Sequence, residues 1–279
     1  MKLISYSRGT ANGWGVLGDD GVVDMTGTFP SLRAALEAGG LADIAAAAGD
    51  RGADFPLDDV RLLPPVPDPG KIICIGLNYG KHLAESGAPM PEYPTLFVRV
   101  TDTLVAHDEP MVVPSVSSEL DYECELALVI GKGGRHIARE DALAHVAGYA
   151  CFNDGSVRDY QMKHSLAAGK NFHATGGFGP WLVTADAIPD PGRLQLRTLI
   201  NGQELQNGNT SDLIFDIPEI ISYISAFTPL SPGDVISTGT PEGVGFVRKP
   251  PIFLKPGDTV EIEVEGIGKL RNPVIAEPS

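Results

Sequence analysis

The chain has 279 residues, with 21 Lys and Arg against 36 Asp and Glu, so its formal net charge is −15. A composition of 43% hydrophobic and 20% charged residues is typical of a globular protein with a sizeable core, and it excludes a disordered or fibrous chain. The negative charge argues against nucleic acid and anionic membranes as partners, because these surfaces are bound through Lys and Arg.

The sequence has no run that approaches the roughly 18 apolar residues of a membrane-spanning helix. Its N-terminus becomes polar before the apolar region of a signal peptide could form. The three cysteines, Cys74, Cys124 and Cys151, contain no CxxC pair. We therefore expect no membrane association, no structural zinc or disulfide framework, and a cytoplasmic location.

The first part of the chain predicts a small β/α domain. The predicted elements are a hairpin over residues 2–6 and 14–17, a turn at 19–21, a helix over 31–38 with Ser31 as its N-cap, and a second helix over 41–48. The proline-rich stretch 62–70 lacks backbone donors and is too rigid for a central strand. We place the domain boundary there, with residues 1–68 as the N-terminal domain and 69–279 as the larger domain.

The larger part predicts short strands and few helices. Strands are expected over 71–76, 119–131 and 148–153, and helices over 78–86 and 139–146. Two Pro-Gly-Asp turns, at 232–234 and 256–258, each precede a run of Val and Ile that is typical of strands. The whole predicts an α+β fold dominated by strands.

The strand predicted over 119–131 carries an unusual set of acidic side chains. Its alternate positions are Glu119, Asp121, Glu123 and Glu125, which would share one face. Carboxylates two residues apart lie about 6–7 Å apart on a strand. Beside the apolar run 126–130 they repel each other unless a cation lies between them. Ligation by oxygen alone favours Mg²⁺, Mn²⁺ or Ca²⁺ over zinc. The alternative is a solvated face that only adds to solubility.

A third metal ligand is offered by Asp154, which ends an apolar strand at a glycine turn. The Asn-Asp-Gly sequence is also ordinary turn chemistry, so this signal is weak alone. Nearby, Arg158 and Gln161 stand at positions i and i+3, where they could hold the carboxylate or carbonyl group of an acidic ligand.

These residues resemble the fumarylacetoacetate hydrolase family, over roughly residues 70–275. The resemblance depends on several motifs in order: Ile75-Gly76-Leu77-Asn78-Tyr79 with His82-Leu83-Ala84-Glu85, Glu123-x-Glu125, Asn153-Asp154 with Arg158-Asp159-x-Gln161, Lys170, Gly177-Phe178-Gly179-Pro180-Trp181, and Thr238-Gly239-Thr240-Pro241-x-Gly243-Val244-Gly245. The first 68 residues resemble the small N-terminal domain of the bacterial members.

The resemblance implies a mixed β-sandwich roll, a homodimer, and a divalent metal, usually Mg²⁺, held by Glu123, Glu125 and Asp154. The larger fumarylacetoacetases add an Asp ligand seven residues before the catalytic His. Here that position is Ile75, so the chain is similar to the shorter, acylpyruvase-like branch.

Substrates of the family are 2-oxo or 2,4-dioxo acids, so the resemblance implies an enolate stabilised by the metal. It also implies that Lys170 adds a second positive charge and that Thr240, with Gly239, holds the substrate carboxylate. The alternatives are a surface lysine and a simple tight turn. His82 and Glu85 share a helix face at i and i+3 spacing, and a carboxylate beside an imidazole makes a competent base for water.

The favoured activity is therefore Mg²⁺-dependent hydrolysis of a C–C bond in an acylpyruvate-type 2,4-dioxo acid, with water activated by His82 and Glu85. The same motifs fit a decarboxylase or isomerase of a 2-oxo dicarboxylic acid, such as oxaloacetate or an intermediate of aromatic degradation. A third reading is a non-catalytic Ca²⁺-binding β-protein, which would leave Lys170 and Arg158 unexplained. In the first two cases, the expected partner is a small oxo acid.

Overall fold

The computed structural model describes residues 1–278, and strands dominate it. The strands are β1 (Lys2–Arg8), β2 (Ala11–Gly18), β3 (Gly21–Asp24), β4 (Arg61–Leu63), β5 (Ile72–Gly76), β6 (Thr95–Arg99), β7 (Leu104–Val105), β8 (Met111–Val113), β9 (Leu120–Asp121), β10 (Cys124–Ile130), β11 (Val146–Asn153), β12 (Ser156–Val157), β13 (Gly176–Thr184), β14 (Gln195–Ile200), β15 (Gln203–Asn209), β16 (Val235–Ser237), β17 (Thr259–Val264) and β18 (Gly268–Ala276).

Six α-helices and six 3₁₀ segments connect these strands within the described residues. The helices are α1 (Leu32–Ala38), α2 (Leu41–Ala48), α3 (Gly80–Ser86), α4 (Arg158–Lys163), α5 (Leu166–Lys170) and α6 (Ile217–Phe227). The 3₁₀ segments are Leu57–Asp59, Thr101–Thr103, Arg139–His145, Ala185–Ala187, Pro191–Arg193 and Thr210–Asp212.

Two large sheets and a small ribbon make up the architecture. The main sheet has the order β3-β2-β1-β13-β11-β10-β16-β5-β6, with β4 paired to β1 and β7 paired to β13. The second sheet has the order β15-β14-β17-β18-β8, and β9 pairs with β12. Both parallel and antiparallel pairs occur, since β16 runs parallel to β5 but antiparallel to β10. The predicted strand-dominated α+β fold with a mixed β-sandwich is confirmed.

The central strand β10 shows why the main sheet is covered on both faces. Its alternate side chains Leu126, Leu128 and Ile130 join one core cluster, together with residues of the second sheet and α6. The intervening Ala127 and Val129 join another cluster, which includes apolar residues of α1 and α2. A strand that is buried on both faces has a continuous apolar sequence, as residues 126–130 of β10 do.

Leu128 offers a test of this packing. It is fully buried at the centre of the main sheet. We expect Leu128→Ala to lower the free energy of unfolding by about 2–5 kcal/mol, because the cavity it leaves can close only in part. Urea denaturation without metal measures this loss. The matched variant Leu143→Ala, at a residue that is 43% exposed, should change the unfolding free energy by much less; equal losses would contradict the two-sided core.

The predicted N-terminal elements are confirmed. Ser31 caps α1 by accepting a hydrogen bond from the backbone amide of Ala34, and α2 covers the predicted residues. Strands β1 to β3 form the predicted hairpin and turn, and they join the main sheet through the pairing of β1 with β13. The division at residue 68 stays a prediction.

Two differences from the sequence predictions affect the site. The single strand predicted over 119–131 is wrong: β9 ends at Asp121 and β10 begins at Cys124, so Glu123 lies in the break between them. The helix α6 was not predicted, although Asp216 caps it and Pro218 lies in its first turn, which is a usual start signal.

Candidate active site

A cavity of about 280 Å³ opens where β5 and β16 end and the antiparallel β10 begins. Its polar lining includes His82, Glu123, Glu125, Arg158, Gln161, Lys170 and Thr240. Its apolar lining includes Ile75, Phe97, Met162, Leu166 and Phe246. Seven of the ten predicted site residues therefore line one cavity. Of the other three, Glu85 contacts His82, Gly239 contacts Glu125, and Asp154 contacts Lys170.

The three predicted metal ligands converge. One carboxylate oxygen from each of Glu123, Glu125 and Asp154 lies within 4.8 Å of the others, and all three residues are buried. The break before β10 lets Glu123 turn toward the other two. It is held there because its amide donates to the side chain of Asn153 at 3.0 Å, and its carbonyl accepts from the amide of Asp154, also at 3.0 Å.

Glu125 is held by neutral donors. The hydroxyl of Ser237 donates to its Oε2 at 2.5 Å, and the amide of Gly239 donates to the same oxygen at 3.0 Å. Burial raises the pKa of the Glu125 carboxyl well above its usual range, and the charges of Asp154 and Glu123 raise it further. A nearby cation therefore strongly stabilises the ionised form of this carboxyl group.

Glu123 has cationic partners instead. Arg158 Nη2 lies 2.6 Å from its Oε1, and Lys170 Nζ lies 2.6 Å from its Oε2. Burial alone would raise the pKa of Glu123, but the charges of Lys170 and Arg158 outweigh it and lower the pKa to about 2. The carboxylate is therefore ionised at any physiological pH.

Lys170, at the end of α5, extends its ammonium group between two of the carboxylates. Its Nζ lies 2.5 Å from Asp154 Oδ2 as well as contacting Glu123. Helix α5 packs tightly on α4 at Gly169, where a Cβ atom would lie 2.4 Å from the Cβ of Gln161. Burial lowers the pKa of Lys170, but Asp154 and Glu123 more than compensate and raise it. A charged amine held in this way shows that the cluster attracts cations.

The donor set fits a hard divalent cation. All three candidate ligands are carboxylates, which suit Mg²⁺, Mn²⁺ and Ca²⁺ better than softer metals. The structure therefore supports a site for a hard divalent cation at Glu123, Glu125 and Asp154.

Arg158 connects the carboxylate cluster to the rest of the cavity. Its Nε donates to Asp121 at 2.8 Å and its Nη1 to the Oε1 of Gln161 at 2.8 Å, in addition to the contact with Glu123. The ring of Phe246 lies 4.4 Å from the guanidinium carbon. Arg158 and Gln161 are thus preorganised together in the cavity wall, and their contact with substrate stays a prediction.

His82 and Glu85 form the predicted pair on α3. His82 Nδ1 lies 2.7 Å from Glu85 Oε1, and His82 is buried. Both oxygens of Glu85 also accept from the amide of Gly243 at 3.1 Å, which fixes the carboxylate. The helix ends at Gly87, whose φ of 70° favours glycine. With Nδ1 engaged, Nε2 is the ring nitrogen left for proton transfer.

The glycine-rich loop after β16 differs in part from its predicted role. Thr240 lines the cavity, and its Oγ1 accepts from Gln206 Nε2 at 2.9 Å. The amide of Gly239, which was predicted to hold substrate, donates to Glu125 instead. In this structure, Gly239 thus supports a candidate metal ligand.

Three residues hold the site in roles that the sequence did not predict. Asp121 accepts from Arg158 and from the amides of Gly245 and Phe246. Arg99 pairs with Asp154 Oδ1, and the third residue, Ser237, donates to Glu125. For Arg99, the available signal was a lone charge in an apolar strand, which indicates a buried ion pair.

Comparisons with known proteins identify the family of this chain. A family model for the C-terminal domain of fumarylacetoacetate (FAA) hydrolase matches residues 71–275. A mitochondrial oxaloacetate tautomerase of Xenopus laevis is 45% identical over 220 residues, covering 78% of this chain and 69% of the relative. A human mitochondrial oxaloacetate tautomerase is 43% identical over 224 residues, covering 79% and 71%.

A solved structure is similar over the whole chain. The maleylpyruvate hydrolase from Sphingobium sp. SYK-6, in complex with manganese(II) ion and pyruvate, has a TM-score of 0.84 and 32% sequence identity, and the match covers 100% of both chains.

The names of the tautomerases contradict the predicted cytoplasmic location, because both proteins are described as mitochondrial. The prediction depended on the cysteines, and all three are buried and free. Free thiols indicate a reducing environment, which does not single out the cytosol. Separately, none of the helices within residues 1–278 is long and apolar enough to span a bilayer.

Proposed function

Because the chain belongs to the fumarylacetoacetate hydrolase family, we propose that it is a metal-dependent tautomerase of a small 2-oxo dicarboxylic acid of the oxaloacetate class. The observation that carries the proposal is the buried cluster of Glu123, Glu125 and Asp154, two of which, Glu123 and Glu125, line the same cavity as His82. The tautomerase relatives support this activity over the acylpyruvate hydrolysis that the sequence favoured.

The metal in this proposal is Mg²⁺ or Mn²⁺, held by Glu123, Glu125 and Asp154. When bound, such an ion stabilises negative charge on the substrate's C2 oxygen as a Lewis acid. The Sphingobium relative, with its manganese and pyruvate, supports the choice of a hard ion and an oxo acid.

Cationic and polar side chains would bind and orient the substrate. Arg158 and Gln161, fixed to each other and to the cavity wall, would receive a substrate carboxylate. The ammonium group of Lys170 adds positive charge beside the developing enolate oxygen. The hydroxyl of Thr240 provides a further polar contact from the opposite loop.

His82 would move the proton at the substrate carbon C3. In the direction from enol to keto, C3 gains one proton and the enol oxygen loses one, so no oxidant or other co-reactant is needed. Glu85, which contacts Nδ1, orients the ring and presents Nε2 for this transfer. The cavity is closed enough to keep His82 buried, which limits exchange of the proton with bulk water.

A second candidate is hydrolysis of a C–C bond in a 2,4-dioxo acid. The same His82 and Glu85 could instead deprotonate a water molecule. The Sphingobium maleylpyruvate hydrolase supports this alternative. For either activity, we propose that two copies of the chain form a homodimer.

The test is a direct comparison of the two reactions. We expect the purified protein with Mg²⁺ or Mn²⁺ to accelerate the loss of the enol absorbance of oxaloacetate, and EDTA to remove the acceleration. Pyruvate release from acetylpyruvate and from oxaloacetate is measured in parallel, the latter to detect decarboxylation. Turnover of acetylpyruvate alone would favour the hydrolase, and absence of metal-dependent turnover on all substrates would favour the non-catalytic Ca²⁺-binding protein.

A further inference from the structure

Arg99 is a buried cation on an edge strand. It ends β6, and its neighbours Val98 and Val100 are 57% and 54% exposed, whereas Arg99 itself is 3% exposed. The alternation of a strand directs Arg99 inward. A buried arginine is costly unless its charge and hydrogen-bond donors are satisfied.

Neutral acceptors hold three sides of the guanidinium group. Nε lies 3.1 Å from Thr103 Oγ1, Nη2 lies 3.2 Å from Thr175 Oγ1, and Nη1 lies 2.9 Å from the carbonyl oxygen of Gly155. Gly176 leaves room for the group, since a Cβ atom there would lie 2.7 Å from Nη2. The position of the guanidinium is therefore set by the protein before it contacts any charged partner.

The remaining contact of Arg99 is with the metal-ligand candidate Asp154. Nη1 lies 2.6 Å from Oδ1, and both side chains are fully buried. The other oxygen, Oδ2, lies on the side of Lys170 and Glu123. Arg99 thus contacts Oδ1 of Asp154 and leaves Oδ2 as the oxygen that can converge with the carboxylates of Glu123 and Glu125.

We propose that Arg99 is a positioning residue for the metal site: it holds Asp154 so that Oδ2 points toward Glu123 and Glu125. The inference rests on the proposed metal-dependent function. Two physical effects oppose each other here. A guanidinium beside a carboxylate weakens the attraction of that carboxylate for a metal ion, whereas a fixed carboxylate binds better than a mobile one. At Asp154, the gain in metal affinity from positioning outweighs the loss from charge repulsion.

The probe is Mn²⁺ alone, with free Mn²⁺ followed by electron paramagnetic resonance. We expect Arg99→Met to weaken Mn²⁺ binding by about 10–100-fold, as is usual for partners that orient metal ligands. Arg99→Lys keeps the charge but cannot reach all four acceptors, so its affinity should fall between that of Arg99→Met and that of the unmodified protein. Arg61→Met, at an exposed arginine on another strand, is the matched control and should bind normally.

Several outcomes are decisive. Mn²⁺ binding by either Arg99 variant that is as tight as in the unmodified protein, or tighter, would overturn the proposal. Thermal unfolding without metal shows whether each variant folds, and if Arg99→Met does not, Arg99→Lys decides. At saturating Mn²⁺, kcat for oxaloacetate should recover in the folded variants, because Arg99 does not touch substrate; a kcat that stays low would contradict a positioning role.

The failure of this inference can be distinguished from the failure of the proposed function. If the unmodified protein binds no Mn²⁺, the metal-dependent function fails. If it binds Mn²⁺ and the Arg99 variants do so equally well, only the role of Arg99 fails.

Discussion

Replacing Glu123 with Gln is expected to lower metal affinity and activity together, each by at least about 100-fold, since even partners that only orient a ligand contribute 10–100-fold. The substitution removes one of three converging carboxylates. It also leaves Arg158 and Lys170 without their shared anion. Mn²⁺ titration and the oxaloacetate assay measure the two effects.

The loss of two buried ion pairs should also destabilise the metal-free protein, by about 3–5 kcal/mol. Thermal unfolding therefore accompanies the titration, so that a loss of fold is not mistaken for a loss of metal. Glu119→Gln is the matched control, because Glu119 lies nearby in the chain but outside the carboxylate cluster. A folded Glu123→Gln variant with normal Mn²⁺ affinity would refute the metal site.

Replacing His82 with Ala is expected to lower turnover by about 10²–10⁴-fold, the usual contribution of a general acid or base. Mn²⁺ binding and binding of oxalate should change little, because His82 is not among the converging ligands. The measurement is kcat with oxaloacetate and with acetylpyruvate, together with calorimetric titration of oxalate in the presence of Mn²⁺.

His136→Asn serves as the control for the His82 variant. His136 is exposed, and its φ of 53° is one that asparagine adopts readily. If His82→Ala loses hydrolysis but keeps tautomerisation, His82 activates water and another group moves the C3 proton. Equal loss of oxalate binding and of turnover would instead mean that His82 holds the substrate or the site itself.

Local patterns predicted those parts of the site that local structure determines. Asp154 follows an apolar strand at a glycine turn, and it lies there in the structure. His82 and Glu85 share a face of a short helix, as their spacing indicates. In both cases, a few neighbouring residues define the backbone, so the direction of the side chain follows from the sequence.

The carboxylates of β9, of β10 and of the break between them show a limit of prediction from local patterns. Alternation placed Asp121, Glu123 and Glu125 on one strand face, but the strand breaks and Asp121 holds Arg158 instead of a metal. The break is stabilised by Asn153, on the next strand. No pattern within the strand itself could have predicted this contact.

Arg99 shows the same limit over a longer distance. Its charge in an apolar strand indicates a buried partner, yet that partner, Asp154, is 55 residues away in the chain. The partner can be identified only when the topology brings β6 and the end of β11 together. The helix α6 is a different case, since its start signals were present in the sequence and were overlooked.

The separation of the site residues along the chain has a consequence for folding. Glu85 and Gly243 are in contact although they are 158 positions apart, and Glu125 contacts Ser237 across 112 positions. Helices and hairpins that form early from neighbouring residues build none of these contacts, and closing such long loops is entropically unfavourable. During refolding from denaturant, catalytic competence should therefore return only with the last cooperative step, after most of the helical signal has recovered.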